Sequence, residues 1–306
     1  MAKTMYEATS FAAKSITATF DMVWALEAGL WNLRQSATTY FSNNPDATQT
    51  EATQALVNGL YIHGLNPRRI AFELTWDYEE QYVSELLLLN GMAIFDAWVD
   101  NFVDAAIIGK SNNQRSRIKD AVKKGNFADL DSALSAESTS ILTGYFRYSA
   151  KRQDPYISNL CLIYKYFKSC RNCCAHNNRQ FNSVAETNYD AIKDLTKVAC
   201  GLNEFPKLAV TVKDQPVKLI LRGVVGFYDV LIKIINHYVI VAADKVGIEA
   251  EVIRRWKSIP TIRLSTVENK RNKTIRQYMN NADICPCYST KTNDFYAFLV
   301  SNNAFT

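Results

Sequence analysis

The chain has 306 residues, of which 48% are hydrophobic and 21% are charged, and its formal net charge is +5. This composition excludes a disordered chain and allows one large domain or two small ones around a sizeable core. Eleven glycines and seven prolines are few for this length, so the composition favours long helices over many short strands.

The first third of the chain predicts helices joined by a loop. Bulky apolar residues recur every three or four positions over 3–41, which indicates one or two amphipathic helices. These residues are Phe11, Phe20, Met22, Val23, Trp24, Leu26, Leu30, Trp31 and Leu33. The polar stretch 42–54 predicts a loop that leads into a short helix. Residues 76–110 carry the longest helical pattern, in which Gly91 either costs about 1 kcal/mol or marks a break.

The rest of the chain predicts a mostly α fold with one extended segment. Further helices are predicted at 116–124, 128–148, 156–177, 218–246 and 248–257. Residues 203–221 differ, because apolar and polar residues alternate there between Pro206 and Pro216. This pattern predicts either one short hairpin near 206–218 or an extended crossing. Residues 278–306 have a mixed pattern that predicts no particular element.

Charge is distributed unevenly along the chain. Residues 1–109 hold five Lys/Arg and thirteen Asp/Glu, a net charge of −8. Because the whole chain has a net charge of +5, residues 110–306 have a net charge of +13. Two segments dominate this excess: 110–124 has six basic residues and one acid, and 254–276 has eight and one. Such clusters attract phosphate backbones, although a solvated basic face that keeps the protein soluble has the same pattern.

The cysteines and the N-terminus indicate a cytoplasmic protein. Seven cysteines at irregular spacing indicate free thiols in a reducing compartment, and the first twenty residues show no signal peptide. The best candidate for a membrane span is 219–243, but its polar residues recur on one helical stripe, which favours a buried helix of a soluble domain. We therefore expect no membrane partner.

The segment 171–182, RNCCAHNNRQFN, carries the chemistry. The apolar stripe of the preceding helix continues into Arg171, and a buried guanidinium needs a carboxylate, a partner chain or a ligand anion unless it snorkels to solvent. His176 points about 140° away around the same helix, while Asn172 shares its face and is placed to hold the ring. Arginine binds phosphate oxygens and histidine moves protons near neutral pH, so the pair suits RNA cleavage by the 2′-hydroxyl.

Other interpretations of neighbouring residues stay open. Three cysteines at 170–174 with His176, together with Cys285 and Cys287, could bind zinc, but small buried thiols fit their irregular spacing. Asp96, Asp100 and Asp104 form an i, i+4, i+8 stripe that is either a solvated acidic face or the source of a carboxylate for Arg171. His63 and His237 are interpreted as structural.

The string 171–182 resembles the signature of Abi-type abortive-infection proteins, which is close to R-N-x-C-A-H-x-N-R-x-x-N. The matching positions are Arg171, Asn172, Cys174, Ala175, His176, Asn178, Arg179 and Asn182. The helix 221–239 also resembles the one that follows this motif, so the resemblance covers roughly 155–245. Abi-type proteins belong to the HEPN superfamily of α-helical ribonucleases, and residues 1–75 depart from the family pattern.

The resemblance implies a metal-independent endoribonuclease toxin that needs no cofactor and defends bacteria against phage. It implies catalytic roles for Arg171, which would bind phosphate, for His176, which would move the proton, and for Asn172, which would orient the site. Asn178 and Arg179 would bind RNA or brace the helix. With one such motif per chain, a homodimer would complete the cleft. A cognate RNA or protein antitoxin is the expected inhibitor, and a non-catalytic RNA-binding or sensor subunit is the alternative.

The expected domain organisation has three parts. Residues 1–75 would form an N-terminal helical extension for dimerisation or regulation, 76–260 a HEPN-like catalytic helical bundle, and 261–306 a C-terminal segment. The two basic segments, 110–124 and 254–276, would guide RNA to the cleft. We expect the acidic N-terminal third not to bind RNA itself and to repel nucleic acid until something displaces it.

Overall fold

A computed structural model describes residues 5–57, 64–107, 110–134, 141–176, 178–243, 249–259, 264–281 and 292–304. The prediction of a mostly α fold is confirmed. In chain order the helices are α1 (Met5–Asn43), α2 (Gln49–Leu56), α3 (Pro67–Phe72), α4 (Trp76–Ala106), α5 (Asn112–Lys123), α6 (Ala128–Ala133), α7 (Ile141–His176), α8 (Ser183–Asp190), α9 (Leu221–Ala243), α10 (Glu249–Lys257), α11 (Glu268–Asn281) and α12 (Thr292–Ser301).

Three long helices, α4, α7 and α9, form the centre of the bundle. Their aromatic side chains interlock: the Phe167 and Phe227 rings stack at 4.5 Å, and the Phe95 and Tyr164 rings lie 4.8 Å apart. Gly91 does not break α4. A Cβ at this position would lie 2.9 Å from the Tyr228 ring, so the glycine lets α9 approach α4 closely. The site described below lies where α7 ends beside this core.

Helix α1 packs along α4 and α9, but it buries a different face from the one its bulky residues suggest. The buried side chains are mostly small, with Ala8, Ala12, Ile16 and Val23 in the common core. Phe11, Met22, Trp24, Leu26 and Trp31 are exposed instead. Small side chains allow α1 to approach α4 and α9 closely. The bulky side chains lie outside this contact and face solvent. The boundary predicted at 75/76 stays a prediction.

The predicted helices at 128–148 and 156–177 are wrong in their bounds. Helix α6 ends at Ala133, and α7 already begins at Ile141 and continues through Pro155. A proline inside a helix costs about 3 kcal/mol, because it removes a hydrogen bond and clashes with the preceding turn. The buried packing of the later half of α7, including Leu160, Ile163 and Phe167, offsets this cost.

Residues 203–220 form an extended crossing rather than a hairpin within themselves. The crossing pairs with the segment just after α7 through an isolated antiparallel bridge between Gln180 and Pro216. It also fits tightly against α9, because a Cβ on Gly223 would collide with the carbonyl oxygen of Lys207. Of the two interpretations of its alternating pattern, the extended crossing is therefore the one observed.

Two helices, α4 and α9, are long and apolar enough to span a bilayer by length and composition. More than half of each apolar window is buried by other helices, and core helices of soluble proteins meet the same criteria. The remaining helices form smaller clusters around this centre. Trp256 of α10 packs against Tyr278 of α11 and Phe295 of α12.

Candidate functional site

The candidate site lies at the C-terminal end of α7 and in the turn that follows. Cys170 and Cys173 anchor this end of the helix in the core, while Cys174 is half-buried and His176 is exposed. The helix ends because Asn178 and Arg179 adopt left-handed backbone angles, with φ of 49° and 64°. Asparagine accepts this conformation more readily than most residues.

Arg171 lies on the flank of α7, between the core and solvent. Its Nη1 donates a hydrogen bond to the Asn172 Oδ1 at 3.2 Å, and its Nε is buried with no partner in the described part of the chain. Burial and the Asp96 carboxylate raise the pKa of the nearby Tyr164 phenol, and the Arg171 charge opposes that rise. A guanidinium with a buried unpaired donor can still bind an anion.

Helix α7 is continuous through residue 176, so Arg171 and His176 diverge. At 3.6 residues per turn, their side chains leave the helix about 140° apart, with about 7.5 Å between them along the axis. The Arg171 and His176 side chains therefore leave α7 in different directions. In the described residues, the hydrogen bond of the Asn172 side chain is to Arg171, whose Nη1 donates to its oxygen, and not to the His176 ring.

Arg179 braces the motif against α4. Its Nη2 donates to the Glu85 Oε2 at 2.7 Å, and its guanidinium carbon lies 4.2 Å from the centre of the Tyr82 ring. The Glu85 side chain is 8% exposed and also accepts from the Gln81 Nε2 at 2.9 Å. Hydrogen bonds from Tyr78 and from Arg179 lower the pKa of Tyr82. This geometry favours the bracing role of Arg179 over a free RNA-binding role.

The turn after α7 is fixed by backbone hydrogen bonds to the extended crossing. The Val217 N–H donates to the Arg179 carbonyl at 2.7 Å, and the Phe181 N–H donates to the Gln215 carbonyl at 2.8 Å. Gln81 ties the crossing to α4: its Nε2 donates to the Val217 carbonyl, and its Oε1 accepts from the Leu219 N–H at 2.7 Å. The crossing thus joins the motif segment to α4.

Asn178 and Asn182 have local structural roles within the motif. Asn178 occupies the left-handed turn and is exposed. The Asn182 Oδ1 accepts from the Ala185 N–H at 2.9 Å and caps the N-terminus of α8. The later half of the string 171–182 therefore ends one helix and starts the next, while its earlier half presents Arg171 and His176.

The acidic stripe of α4 forms ion pairs with lysines and is partly solvated, with the Asp100 and Asp104 side chains 47% and 50% exposed, and in the described residues none of its carboxylates pairs with Arg171. Its carboxylates bind lysines of α5 and α7, in the pairs Asp96–Lys168 at 3.3 Å, Asp100–Lys123 at 2.6 Å and Asp104–Lys119 at 2.7 Å. These pairs also engage part of the basic segment 110–124, which leaves fewer of its charges for RNA. In α11, Lys270, Lys273 and Arg276 are exposed.

The cysteines of the described residues are free thiols in apolar surroundings. Burial raises the pKa of Cys161 and of Cys174 to about 12. Among the residues that the structure describes, no group of three or more His, Cys, Asp or Glu side chains is placed to bind a metal ion. Cys285 and Cys287, the other half of the zinc interpretation, lie outside those residues, as does His63. His237 is buried, with its ring 5.0 Å from that of Tyr238.

Sequence reasoning missed Glu85, Gln81 and Tyr82, which hold the motif in place. A signal was present, because Glu85 stands beside the run LLLL at 86–89, and a carboxylate on an apolar helix needs a partner. Its partner is 94 residues away in sequence. No family model, no curated protein and no solved structure matches the chain, so the Abi resemblance depends on the residues of the motif and of the helix that follows it.

Proposed function

We propose that this protein is a metal-independent endoribonuclease toxin of the Abi kind, active as a homodimer and restrained by a cognate RNA or protein. The observation that carries the proposal is the placement of Arg171 and His176 at one end of α7. Both reach the surface there, the arginine with an unpaired buried Nε and the histidine fully outside the core.

The proposed reaction needs no external reagent beyond the RNA. A His176 imidazole takes the proton of the 2′-hydroxyl, whose oxygen attacks the adjacent phosphorus and displaces the 5′-oxygen. The protonated His176 of the second chain gives its proton to that leaving oxygen, which becomes a 5′-hydroxyl, and the other product is a 2′,3′-cyclic phosphate. Arg171 stabilises the negative charge on the phosphorane. Asn172 fixes the Arg171 guanidinium through their hydrogen bond.

The divergence of Arg171 and His176 supports a composite site. A two-fold dimer that brings the ends of both α7 helices to one cleft would supply two arginines and two histidines, and hence an acid and a base together. Arg179 would act mainly by holding this end of the motif through Glu85. Asn178, exposed in the turn, is the residue of the motif best placed to contact RNA beyond the scissile phosphate.

A cleavage assay in the presence of EDTA tests the proposal. Arg171→Ala and His176→Ala should each lower the cleavage rate about 10²–10⁴-fold while RNA binding survives, because they remove transition-state stabilisation and proton transfer. Arg222→Ala is the matched control, since Arg222 is exposed and pairs only with Glu204 on the surface. Cleavage by His176→Ala at the wild-type rate would contradict the proposal.

Mixing the two inactive variants tests the composite site. When Arg171→Ala and His176→Ala chains exchange subunits, a heterodimer retains one Arg171 and one His176 in the shared cleft. We expect cleavage to return only in part, because this heterodimer holds one His176 as base and one Arg171, while water must replace the missing second His176 as the acid. A mixture that exchanges subunits and stays inactive would argue against a shared cleft.

The second candidate is a non-catalytic RNA-binding or sensor subunit. The exposed Lys270, Lys273 and Arg276 of α11 favour it, because they attract phosphate without depending on the motif. If the wild-type protein binds RNA but does not cut it, and binding weakens when these residues are changed to glutamine, this second function is the correct one.

A further inference from the structure

An apolar groove of about 350 Å³ lies between α1 and α4. Its apolar lining, which defines the α1–α4 groove, consists of Leu30, Leu74, Tyr78, Tyr82, Val83 and Leu86. Leu86 is 64% exposed although it lies within the long core helix α4. Leu26 and Met22 precede Leu30 by one and two turns on the same side of α1, and Met22 is 67% exposed. These residues extend the apolar surface beyond the groove.

We propose that the α1–α4 groove is the surface through which two copies of this chain form a dimer, each copy seated on the groove of the other. The inference deepens the proposed function. It rests on that function in one respect, which is that the site needs a second chain to be complete. It names the surface of the dimer, which does not follow from the motif.

The charges at the rim suit a neutral partner rather than RNA. Three arginines surround the groove, and each is paired with a glutamate: Arg34 with Glu79 at 3.3 Å, Arg69 with Glu73 at 3.9 Å, and Arg179 with Glu85 at 2.7 Å. The Arg34 and Arg179 guanidiniums are therefore engaged by carboxylates, whereas the Arg69–Glu73 pair, with both side chains more than half exposed, is weak. The same pairing limits like-charge repulsion when one groove meets another, so the surface is compatible with itself.

The position of the groove explains why the partner should be a second copy. Tyr82 lines the groove and also carries the guanidinium of Arg179 on its ring, so the turn that follows His176 lies at the edge of the groove. In a two-fold dimer, features near the axis of one chain lie near those of its partner. Docking through this groove therefore brings both motif segments to one boundary, which the divergence of Arg171 and His176 requires.

A specific dimer needs more surface than the groove alone. Exposed apolar patches on monomers reach roughly 300–600 Å², and larger ones mark interaction sites. A specific interface of standard size buries about 800 Å² per partner, so the proposed dimer uses the groove, its extension along α1 and its charged rim together. Tyrosine and methionine, which are exposed here at Tyr78, Tyr82 and Met22, are enriched at such interfaces.

The test is the oligomeric state of two lysine variants. Leu86→Lys and Met22→Lys each place a charge on the proposed interface, from which water is excluded in the dimer. Because the dimer is two-fold symmetric, it contains two such charges, so the dimer dissociation constant should rise about 100-fold or more. Both side chains are exposed in the single chain, so the helical circular dichroism of the dissociated protein should persist. Val198→Lys is the matched control, because Val198 is 74% exposed and does not line the groove. Its neighbour Ala199 contacts the middle of α7, where the Ala199 carbonyl accepts a hydrogen bond from Asn159.

Sedimentation equilibrium of the full chain decides between the outcomes. Dissociation of the Leu86→Lys and Met22→Lys variants, with Val198→Lys still dimeric, supports the inference. A monomeric wild type, or lysine variants that dimerise as tightly as Val198→Lys, overturns it. RNA cleavage is scored separately. If the dimer depends on Leu86 but the protein does not cut RNA, only the nuclease proposal is refuted. If RNA cleavage depends on His176 but is unchanged by Leu86→Lys, only this interface is refuted.

Discussion

Replacing Arg179 with alanine should destabilise the protein far more than an ordinary surface change. The substitution leaves the Glu85 carboxylate, which is 8% exposed, without its cation and removes the guanidinium from the Tyr82 ring. Breaking a buried ion pair costs 3–5 kcal/mol, and the loss of a cation–π contact adds about 0.5–1 kcal/mol. Since the Arg179 side chain is 38% exposed, water replaces part of the interaction. We expect a loss of about 3 kcal/mol in the free energy of unfolding.

A double-mutant cycle with Glu85→Gln separates the ion pair from packing. Once Glu85 is neutral, removing Arg179 no longer strands a charge, so the two substitutions should show a coupling energy of about 2 kcal/mol. Urea unfolding measures each free energy, and the melting temperature of Arg179→Ala should fall by about 5 °C. Arg222→Ala is the control, because its pair with Glu204 is exposed and solvent-screened, so its loss should change the free energy of unfolding little. Additive effects, or equal losses in Arg179→Ala and Arg222→Ala, would refute the bracing role.

Two further predictions concern stability. Gly223→Ala should lower the free energy of unfolding by about 3 kcal/mol or more in urea titrations, because its Cβ would collide with the backbone of Lys207, whereas Gly29→Ala, with open space around it, should gain up to about 1 kcal/mol. Burial raises the pKa of Asp229. The folded state then binds this proton more tightly than the unfolded state, so stability is lost as pH rises through the raised pKa. Asp229→Asn should therefore stabilise the protein at neutral pH, with a benefit that disappears below about pH 3.9, the unfolded value; an equal benefit at both pH values would contradict this account.

Long periodic segments were predicted well because burial alone specifies them. The pattern over 76–110 corresponds to Trp76–Ala106, and the one over 218–246 to Leu221–Ala243. The gap predicted between 148 and 156 was wrong, because α7 runs through Pro155 and the packing of its later half, which a single sequence does not display, outweighs the cost of the proline. The face of α1 was misjudged for a similar reason, since small residues rather than bulky ones determine how closely it approaches α4.

The site was predicted in part. Helical geometry correctly separated Arg171 from His176, because an angle of 100° per residue needs no tertiary information. The partners of the charged residues were not predictable in the same way. The three aspartates of α4 bind lysines of other helices, and Arg179 binds Glu85 across 94 residues of sequence. Pairing over such separations depends on how the helices pack, which the local pattern does not encode.

The clamp formed by Gln81 has a consequence for ligand binding. Through its two hydrogen bonds to the crossing, and through the bonds of the crossing to Arg179 and Phe181, the segment after His176 is ordered before any ligand arrives. Immobilising a free backbone costs about 1–2 kcal/mol per residue in entropy. Because the segment is already ordered, a ligand that binds here does not lose this backbone entropy. Its binding free energy is therefore closer to the full energy of its contacts.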